Sequence, residues 1–228
     1  AKKFAISREE QDAFALASQN KAEAAQKAGR FKDEILPVAV HNTEGQASGE
    51  MHTADEGIRA DATLEGIGSV KLLQEGGSLT AASSSQICDG ASAVLIVSEQ
   101  ALKEHGLTPI ARIHNLTVTA GDPVIMLEEP LFATDRALQR AGMKISEIDA
   151  FEVNEAFASV PLAWLKHTGA DPEKLNMHGG AIALGHPLGA SGTKLMATLL
   201  NALEARGGKY GLQTMCEGGG QANVTIIE

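Results

Sequence analysis

The sequence predicts an α/β domain built on a mixed sheet, and three features lead to that prediction. Residues 91–97 (ASAVLIV) form a short continuous apolar run, which is typical of a strand buried on both faces. After this run, strand-like and helix-like segments alternate along the chain, as they do in layered α/β domains. Two strand-like segments, 210–215 and Gln221–Ile227, end the sequence and are joined by the glycine-rich turn CEGGG, so we expect a terminal hairpin.

The elements before residue 91 begin with a long helix. Ser7 and Glu10 have the spacing of a capping box, and the residues up to 28 are rich in helix formers before Gly29 supplies a stop. Residues 35–40 alternate weakly and predict a short strand. Residues 41–62 are polar and have no clear period, so we expect an irregular excursion there.

The elements after residue 91 follow the α/β alternation. Pro161 lies inside one helical pattern, so we expect that helix to begin near it or to bend there. Leu195, Leu199 and Leu203 recur on one face of the last helix. The predicted segments, in order, are the strand at 91–97, a helix at 98–105, a strand at 111–119, a helix at 130–141 ending at Gly142, a strand at Ala150–Val153, a helix leading to His167 and a helix after Ser191.

The composition limits the class of protein and its partners. The 228 residues are enough for a buried core, and 43% apolar with 21% charged residues are near globular averages. A net charge of −10 argues against a general affinity for nucleic acid or anionic membranes. No apolar run reaches the roughly 18 residues of a membrane span, and no signal-peptide core opens the chain. We therefore expect a cytoplasmic protein with neither nucleic acid nor membrane as a partner.

The two cysteines, Cys88 and Cys216, form no C-x-x-C pair, so the sequence predicts neither a metal site nor a disulfide framework. Cys88 precedes the apolar run and has no neighbouring base. We interpret it as a structural residue.

Three segments combine a reactive side chain with a loop at the end of a strand or helix. Asn154 begins the sequence NEAF, His186 lies within GGAIALGHPLGASG, and Cys216 begins CEGGG. Each has a structural interpretation as well: Asn154 as a helix cap, His186 as a core histidine in a tight turn, and Cys216 as a small buried hydrophobe. Consecutive glycines, however, expose amide groups that can stabilise a developing oxyanion.

Taken together, in this order and spacing, these three motifs resemble the signatures of the thiolase family. The resemblance extends to SREEQDAFALASQNKAEAAQKAGRFKDEILPV, DEGIRADATLEG and TAASSSQICDGASAVLIVSE, and so covers essentially the whole chain. It implies a layered αβαβα architecture with mixed sheets. The parts expected here are the remainder of the loop domain at 1–80, a returning strand and helix of the N-terminal domain at 81–108, and the C-terminal domain at 109–228. A change in composition near 78–86 marks the most favoured boundary.

The resemblance implies acyl transfer between a cysteine and coenzyme A, by thiolytic cleavage of 3-ketoacyl-CoA or the reverse Claisen condensation of acyl-CoA. His186 would deprotonate the nucleophilic cysteine and donate to the thioester oxygen, and Asn154 would hold a water in the same oxyanion hole. Cys216 would remove or return the α-proton of acetyl-CoA, while the Gly218 amide would donate in a second oxyanion hole. We expect amide dipoles beside Cys216 to lower the pKa of its thiol below the free value of about 8.5.

The resemblance also implies a binding site for coenzyme A. It places Ser85 near the pantetheine, Arg59 beside the nucleotide, and Ala156 and Phe157 along the acyl and pantetheine channel. The Arg59 guanidinium would bind the anionic diphosphate. CoA and acyl-CoA are then substrates, and no permanently bound cofactor is expected.

The chain departs from the family pattern in three places. Many relatives have Asn-Ala-Ser-Gly where residues 83–86 read Ser-Ser-Ser-Gln, and often Asn where His178 stands. Nothing matches the nucleophilic cysteine of the family, and neither Cys88 nor Cys216 takes its place by motif. We therefore expect the nucleophile on a missing N-terminal part of the same protein. Family resemblance suggests a homodimer or homotetramer. The chemistry is reversible, and we favour a degradative over a purely biosynthetic enzyme.

Three other interpretations remain open. One is another condensing enzyme of the same superfamily, although NEAF together with C-x-G favours a thiolase over a ketoacyl synthase. A second is a Cys–His hydrolase that uses Cys216, His186 and Asn154. The third is a CoA-binding subunit without catalytic activity.

Overall fold

A computed structural model describes all residues, 1–228, as seven α-helices and six strands. No helix combines the length with the apolar character that crossing a membrane requires. The helices are α1 Arg8–Lys27, α2 Leu64–Ser69, α3 Glu99–His105, α4 Glu129–Ala141, α5 Ser159–Thr168, α6 Ala181–Leu184 and α7 Ser191–Arg206; the strands are β1 Val38–His41, β2 Ala47–His52, β3 Ile113–Ala120, β4 Ala150–Val153, β5 Gly211–Glu217 and β6 Gln221–Ile227.

The main sheet has four strands in the order β3-β6-β5-β4. β6 pairs antiparallel with both β3 and β5, whereas β4 and β5 run parallel, with Val153 opposite Thr214. The predicted mixed sheet and terminal hairpin are therefore confirmed. Because β4 and β5 are parallel, their carboxyl ends lie at one edge of the sheet, which we call the carboxyl edge.

Helices cover both faces of this sheet. On one face, Phe151 of β4 packs with Leu131 of α4 and Trp164 of α5 in the largest core cluster. On the other, Ala150 packs with Leu199 and Leu203 of α7. Successive strand residues point to opposite faces, so β4 presents Phe151 and its neighbour Ala150 to different helix layers. The result is an α/β layered domain whose core depends on β4 and β5.

α1 forms as its local signals predict. The Ser7 hydroxyl accepts a hydrogen bond from the Glu10 amide at 3.1 Å, and the Glu10 carboxylate accepts one from the Ser7 amide at 2.6 Å. This capping box satisfies two amides at the start of the helix. Ala15 of α1 then packs with Ile67 of α2 and Ile182 of α6, which brings the N-terminal helix against the glycine-rich segment.

The excursion predicted at 41–62 is more regular than expected. β1 starts three residues later than the predicted strand, and it pairs with β2 in an antiparallel hairpin. The Asn42 side chain closes the turn by accepting hydrogen bonds from the amides of Glu44 and Gln46. Every residue of β2 is exposed, so no apolar alternation marks this strand in the sequence.

The prediction of a buried strand at 91–97 is wrong. This segment forms no strand, and Leu95 and Ile96 are 79% and 69% exposed. A continuous apolar run indicates a strand only when neighbouring strands are present to pair with it, and none of the six strands lies beside this segment. The helix predicted after it does form, as α3, with the Ser98 hydroxyl capping its first turn.

The remaining predicted elements are confirmed with small shifts. α4 ends at Gly142, which adopts a left-handed φ of 67°, and β4 has the predicted bounds. α5 contains Pro161 in its first turn, where a backbone amide has no acceptor within the helix, so proline is tolerated. Leu195, Leu199 and Leu203 of α7 are all buried.

Candidate functional site

Asn154 stands at the carboxyl edge, directly after β4. Its amide donates to the Thr214 carbonyl at 3.1 Å, which extends the pairing of β4 with β5 by one residue. The side chain is 1% exposed, and its Oδ1 has no hydrogen-bond partner. Thr214 lies two residues before Cys216, so Asn154 and Cys216 lie at the same edge of the sheet.

His186 is brought to Asn154 by the glycine-rich segment that follows α6. Its Nε2 lies 3.4 Å from the Asn154 Nδ2, and its Nδ1 lies 2.5 Å from the Ser191 Oγ. The Ser191 hydroxyl donates to the Pro187 carbonyl at 3.1 Å. The His186 tautomer with its hydrogen on Nδ1 fits this arrangement, because Nδ1 then donates to the Ser191 oxygen and Nε2 keeps its lone pair. Burial lowers the pKa of His186. The lowered pKa favours the neutral ring, and the Nε2 lone pair, which faces the Asn154 amide, is the position that can take a proton.

A buried carboxylate fixes the backbone between these two residues. Glu155 Oε2 accepts hydrogen bonds from the Ser18 hydroxyl at 2.7 Å and the Ile182 amide at 3.1 Å, and Oε1 accepts one from the Asn176 side chain at 2.9 Å. Burial raises the pKa of Glu155 even so. Gly180 must be glycine, because a Cβ there would overlap the carboxylate of Glu155.

Cys216 stands near the end of β5, and burial raises the pKa of its thiol to about 11, with the neighbouring Glu217 carboxylate adding to the shift. The expectation that amide dipoles lower this pKa is therefore wrong, since loss of hydration outweighs the favourable backbone amide. No hydrogen bond joins Cys216 to His186 or Asn154. The N-terminus of α7 lies against Met215, the residue before Cys216: a Cβ at Gly192 would lie 3.7 Å from the Met215 Cε.

The turn after Cys216 leaves one amide free. The Gly218 amide donates to no acceptor within the chain, and Gly218 is exposed. Gly220 has a φ of 82°, and a Cβ there would lie 2.8 Å from the Asp122 carbonyl oxygen, so this position requires glycine. The turn can thus present the Gly218 amide to an anion.

Three of the four residues expected to bind coenzyme A form one short ladder. The Ser85 amide donates to the Ala156 carbonyl at 3.0 Å, and Ser84 pairs with Phe157 as an antiparallel bridge. The ladder follows Asn154 and Glu155 directly, so it borders the carboxyl edge.

Arg59, the fourth, is anchored by its backbone to α1. Its amide donates to the Gln19 side chain at 2.8 Å. The side chain is exposed, and no carboxylate lies within 4.0 Å of its guanidinium. The cation is therefore available to an anionic ligand.

Sequence reasoning missed the residues that position the site. The sequence marks Ser191 only as the residue before a helix, Gln86 only as a departure from a family pattern, and Glu155 only as the neighbour of Asn154. Their partners are 4 to 137 residues away, and spacing alone does not reveal such contacts. The adjacency of Glu155 to a candidate site residue was the one available signal.

Comparison with known proteins assigns both parts of the chain. Residues 1–100 match the family described as "Thiolase, N-terminal domain", and residues 107–228 match "Thiolase, C-terminal domain". The steroid 3-ketoacyl-CoA thiolase FadA6 of Mycobacterium tuberculosis is 56% identical over 100% of this chain and 54% of that protein. The acetyl-CoA acetyltransferase of Paracoccus denitrificans is 46% identical over 99% of this chain and 57% of that protein.

Solved structures give the same result for the fold. Human mitochondrial 3-ketoacyl-CoA thiolase superposes with a TM-score of 0.94 at 44% identity, covering 100% of this chain and 57% of the human chain. Its complex with CoA gives a TM-score of 0.93 at 43% identity, over 100% and 56%. The chain thus spans little more than half the length of the relatives it matches.

Proposed function

The chain belongs to the thiolase family, and from this premise we propose that the protein containing it catalyses CoA-dependent acyl transfer, cleaving 3-ketoacyl-CoA by thiolysis in preference to the reverse condensation. The observation that supports this best is the pairing of a neutral His186 with Asn154 at the carboxyl edge, beside the strand that ends in Cys216. Relatives named 3-ketoacyl-CoA thiolase support the direction of cleavage.

We place the nucleophilic sulfur on a segment outside residues 1–228, on the N-terminal side. Cys88 and Cys216 are not hydrogen-bonded to His186, and the raised pKa of Cys216 keeps its thiol protonated near neutral pH. A nucleophilic cysteine needs the thiolate form and a base within reach, and neither cysteine of the chain has both.

His186 acts as the base for sulfur nucleophiles in this proposal. Nε2 accepts the proton of the nucleophilic thiol, whose sulfur attacks C3 of the 3-ketoacyl group. The C2–C3 bond breaks, and its electron pair passes to C2 of the departing acetyl-CoA enolate. Before the second half-reaction, His186 loses its proton and the Cys216 thiolate regains one. The sulfur of CoA then attacks the acyl-cysteine and its proton passes to His186; the bond between the acyl carbon and the nucleophilic sulfur breaks, and that sulfur takes the proton back from His186.

Cys216 supplies the proton that cleavage consumes. The enolate of acetyl-CoA must be protonated at C2, and a thiol whose pKa is about 11 carries a proton at neutral pH. A resting thiol therefore matches cleavage, whereas condensation needs the thiolate first. Asn154, through a bound water, and the free Gly218 amide are the donors that we assign to the two oxyanions.

Coenzyme A lies along the ladder of Ser85, Ala156 and Phe157 in this proposal, and the exposed Arg59 guanidinium pairs with its diphosphate. The related human thiolase solved in complex with CoA supports this substrate. CoA and acyl-CoA are substrates here rather than resident cofactors. We further propose a cytoplasmic homodimer or homotetramer.

The site of covalent acylation tests this function. We expect the natural protein that contains this chain, incubated with a 3-ketoacyl-CoA and digested, to yield an acylated cysteine peptide from outside residues 1–228. An adduct on Cys216 would instead support a Cys–His hydrolase. Binding of CoA without any adduct or turnover would support a non-catalytic CoA-binding subunit, and either result overturns the proposal.

A further inference from the structure

We propose that Gln86 is a positioning residue, which fixes the backbone that presents His186 to Asn154; the inference rests on the base role proposed for His186. Gln86 follows the ladder residue Ser85 and stands between Asn154 and the glycine-rich segment. Its side chain reaches three backbone carbonyls from two segments of the chain. Nε2 lies 2.9 Å from the Gly57 oxygen, 2.9 Å from that of Ile182 and 3.1 Å from that of Ala183.

Two of these carbonyls belong to the end of α6. The last carbonyls of a helix have no partner within the helix, and α6 has only four residues, so its end depends on outside donors. The two hydrogens on Gln86 Nε2 are shared among the carbonyls of Gly57, Ile182 and Ala183, and the Gln19 side chain also donates to Ile182 at 3.1 Å. α6 ends at Leu184 and His186 follows two residues later, so this capping fixes the start of the loop that holds the imidazole.

The backbone of Gln86 holds the other side of the same loop. The His186 amide donates to the Gln86 carbonyl at 2.9 Å, and the Gln86 amide donates to the Ala181 carbonyl at 3.3 Å. Gln86 thus forms hydrogen bonds to the first residue of α6, to two carbonyls at its end and to His186 itself. A shift of Gln86 is therefore passed directly to His186.

The neighbouring contacts explain why such a shift would affect chemistry. Ser85 is bonded to Ala156, two residues after Asn154, so residues 85 and 86 connect the backbone after Asn154 to that of His186. The Asn154–His186 contact is already long at 3.4 Å, and a displacement of less than 1 Å would break it. The third carbonyl, that of Gly57, lies two residues before Arg59 and ties the same amide to the proposed nucleotide-binding segment.

The test replaces the amide without changing the size of the side chain. In the natural protein, we expect Gln86→Met to lower kcat for thiolysis about tenfold or more, because misplacement of a catalytic group by 1 Å can cost on the order of 100-fold in rate. KM for the 3-ketoacyl-CoA should change much less. The acidic limb of the kcat/KM profile should move to higher pH, since a looser loop hydrates His186 and reverses the effect of burial.

Gln26→Met is the matched control. Gln26 also donates to a carbonyl of the excursion, that of Asp55 at 3.3 Å, but it makes no hydrogen bond to α6 or His186. We expect this variant to keep the wild-type kcat and pH profile. Gln86→Ala is the second test variant: it removes the same side-chain amide, and it should lose kcat in the same direction if Gln86→Met does not fold.

The outcomes separate this inference from the proposed function. A wild-type protein without thiolysis would overturn the proposed function, and amide hydrogen exchange at His186 would still report whether Gln86→Met loosens the loop. An active wild-type protein with unchanged kcat and pH profile in both Gln86 variants would overturn the role of Gln86 alone.

Discussion

At the scale of single residues, the hydroxyl of Ser191 is the contact that sets the tautomer of His186 in the proposed mechanism. With its hydrogen given to the Pro187 carbonyl, the hydroxyl can accept from Nδ1, which leaves the lone pair of the neutral ring on Nε2, toward Asn154. Without this partner, the neutral ring can place its hydrogen on either nitrogen. The proposed base therefore depends on a residue five positions along the chain.

Replacement of Ser191 tests this dependence. We expect Ser191→Ala to lower kcat/KM for thiolysis about tenfold, which corresponds to roughly 1.4 kcal/mol of transition-state stabilisation. Ser191→Thr keeps a hydroxyl at the same position and should recover much of the rate. Ser48→Ala, on the exposed strand β2, is the control. Equal activity of the Ala and Thr variants would contradict the role of the hydroxyl.

The residue scale also shows how much of the candidate site could be predicted from the sequence. Asn154, His186 and Cys216 could be found because each is a reactive side chain beside glycine or a strand end. The partners of Glu155, which are Ser18, Asn176 and Ile182, could not, because they lie 21 to 137 residues from it. The protonation of Cys216 could not be predicted either, since its raised pKa is caused mainly by burial, which depends on the folded chain.

At the scale of secondary-structure elements, the contact between β4 and α7 contains a carboxyl group that folding removes from water. Glu152 is 1% exposed, lies opposite Gln213 of β5, and its Oε2 has no hydrogen-bond partner. Burial raises its pKa to about 8. The Lys194 and Lys21 cations oppose the shift, and the Glu155 and Glu34 carboxyls add to it.

The stability of the fold should therefore depend on pH. Between about pH 5 and pH 8 the unfolded chain has lost the Glu152 proton while the folded chain retains it, so the free energy of unfolding falls as pH rises through this range and levels off above it. We expect Glu152→Gln, which has no proton to lose, to lack this decline. Urea unfolding of the natural protein from pH 5 to pH 9 measures it.

Glu204→Gln, an exposed substitution on α7, gives the background pH dependence in the same experiment. If the difference in stability between wild type and Glu152→Gln is constant across the range, the proposed retention of the Glu152 proton is wrong.

The elements that the sequence predicted correctly are those with local signals. α1 has a complete capping box, α4 ends at a left-handed glycine, and β4 and β5 are buried and apolar on one face. The β1–β2 hairpin was missed because both of its faces are exposed, and the strand at 91–97 was wrong because strand formation depends on partners. Local patterns therefore predicted helices and their ends better than strand pairing.

At the scale of the whole molecule, the net negative charge opposes binding of the anionic ligand that we propose, except where an exposed basic side chain can pair with it. A net charge of −10 repels the phosphates of coenzyme A. Arg59 is exposed and has no carboxylate within 4.0 Å, so its cation is not neutralised by an ion pair. Binding of the anionic nucleotide should therefore depend strongly on this one side chain.

We expect Arg59→Gln to raise KM for CoA about tenfold with little change in kcat, which is the effect of losing one charge-assisted hydrogen bond. The effect should shrink as ionic strength rises, since salt screens exposed charges. Arg206→Gln, at the far end of α7, removes the same charge from the molecule. Similar KM values for the two variants would show that net charge, and not a contact with Arg59, governs binding.

The exposed run at 91–97 also matters for handling the chain as an isolated polypeptide. Leu95 and Ile96 present branched aliphatic groups to water on a backbone whose amides and carbonyls are not used in any sheet. Such a stretch is a template on which copies can add edge to edge at high concentration. The seven residues whose burial was wrongly predicted thus make self-association a failure to guard against in purification.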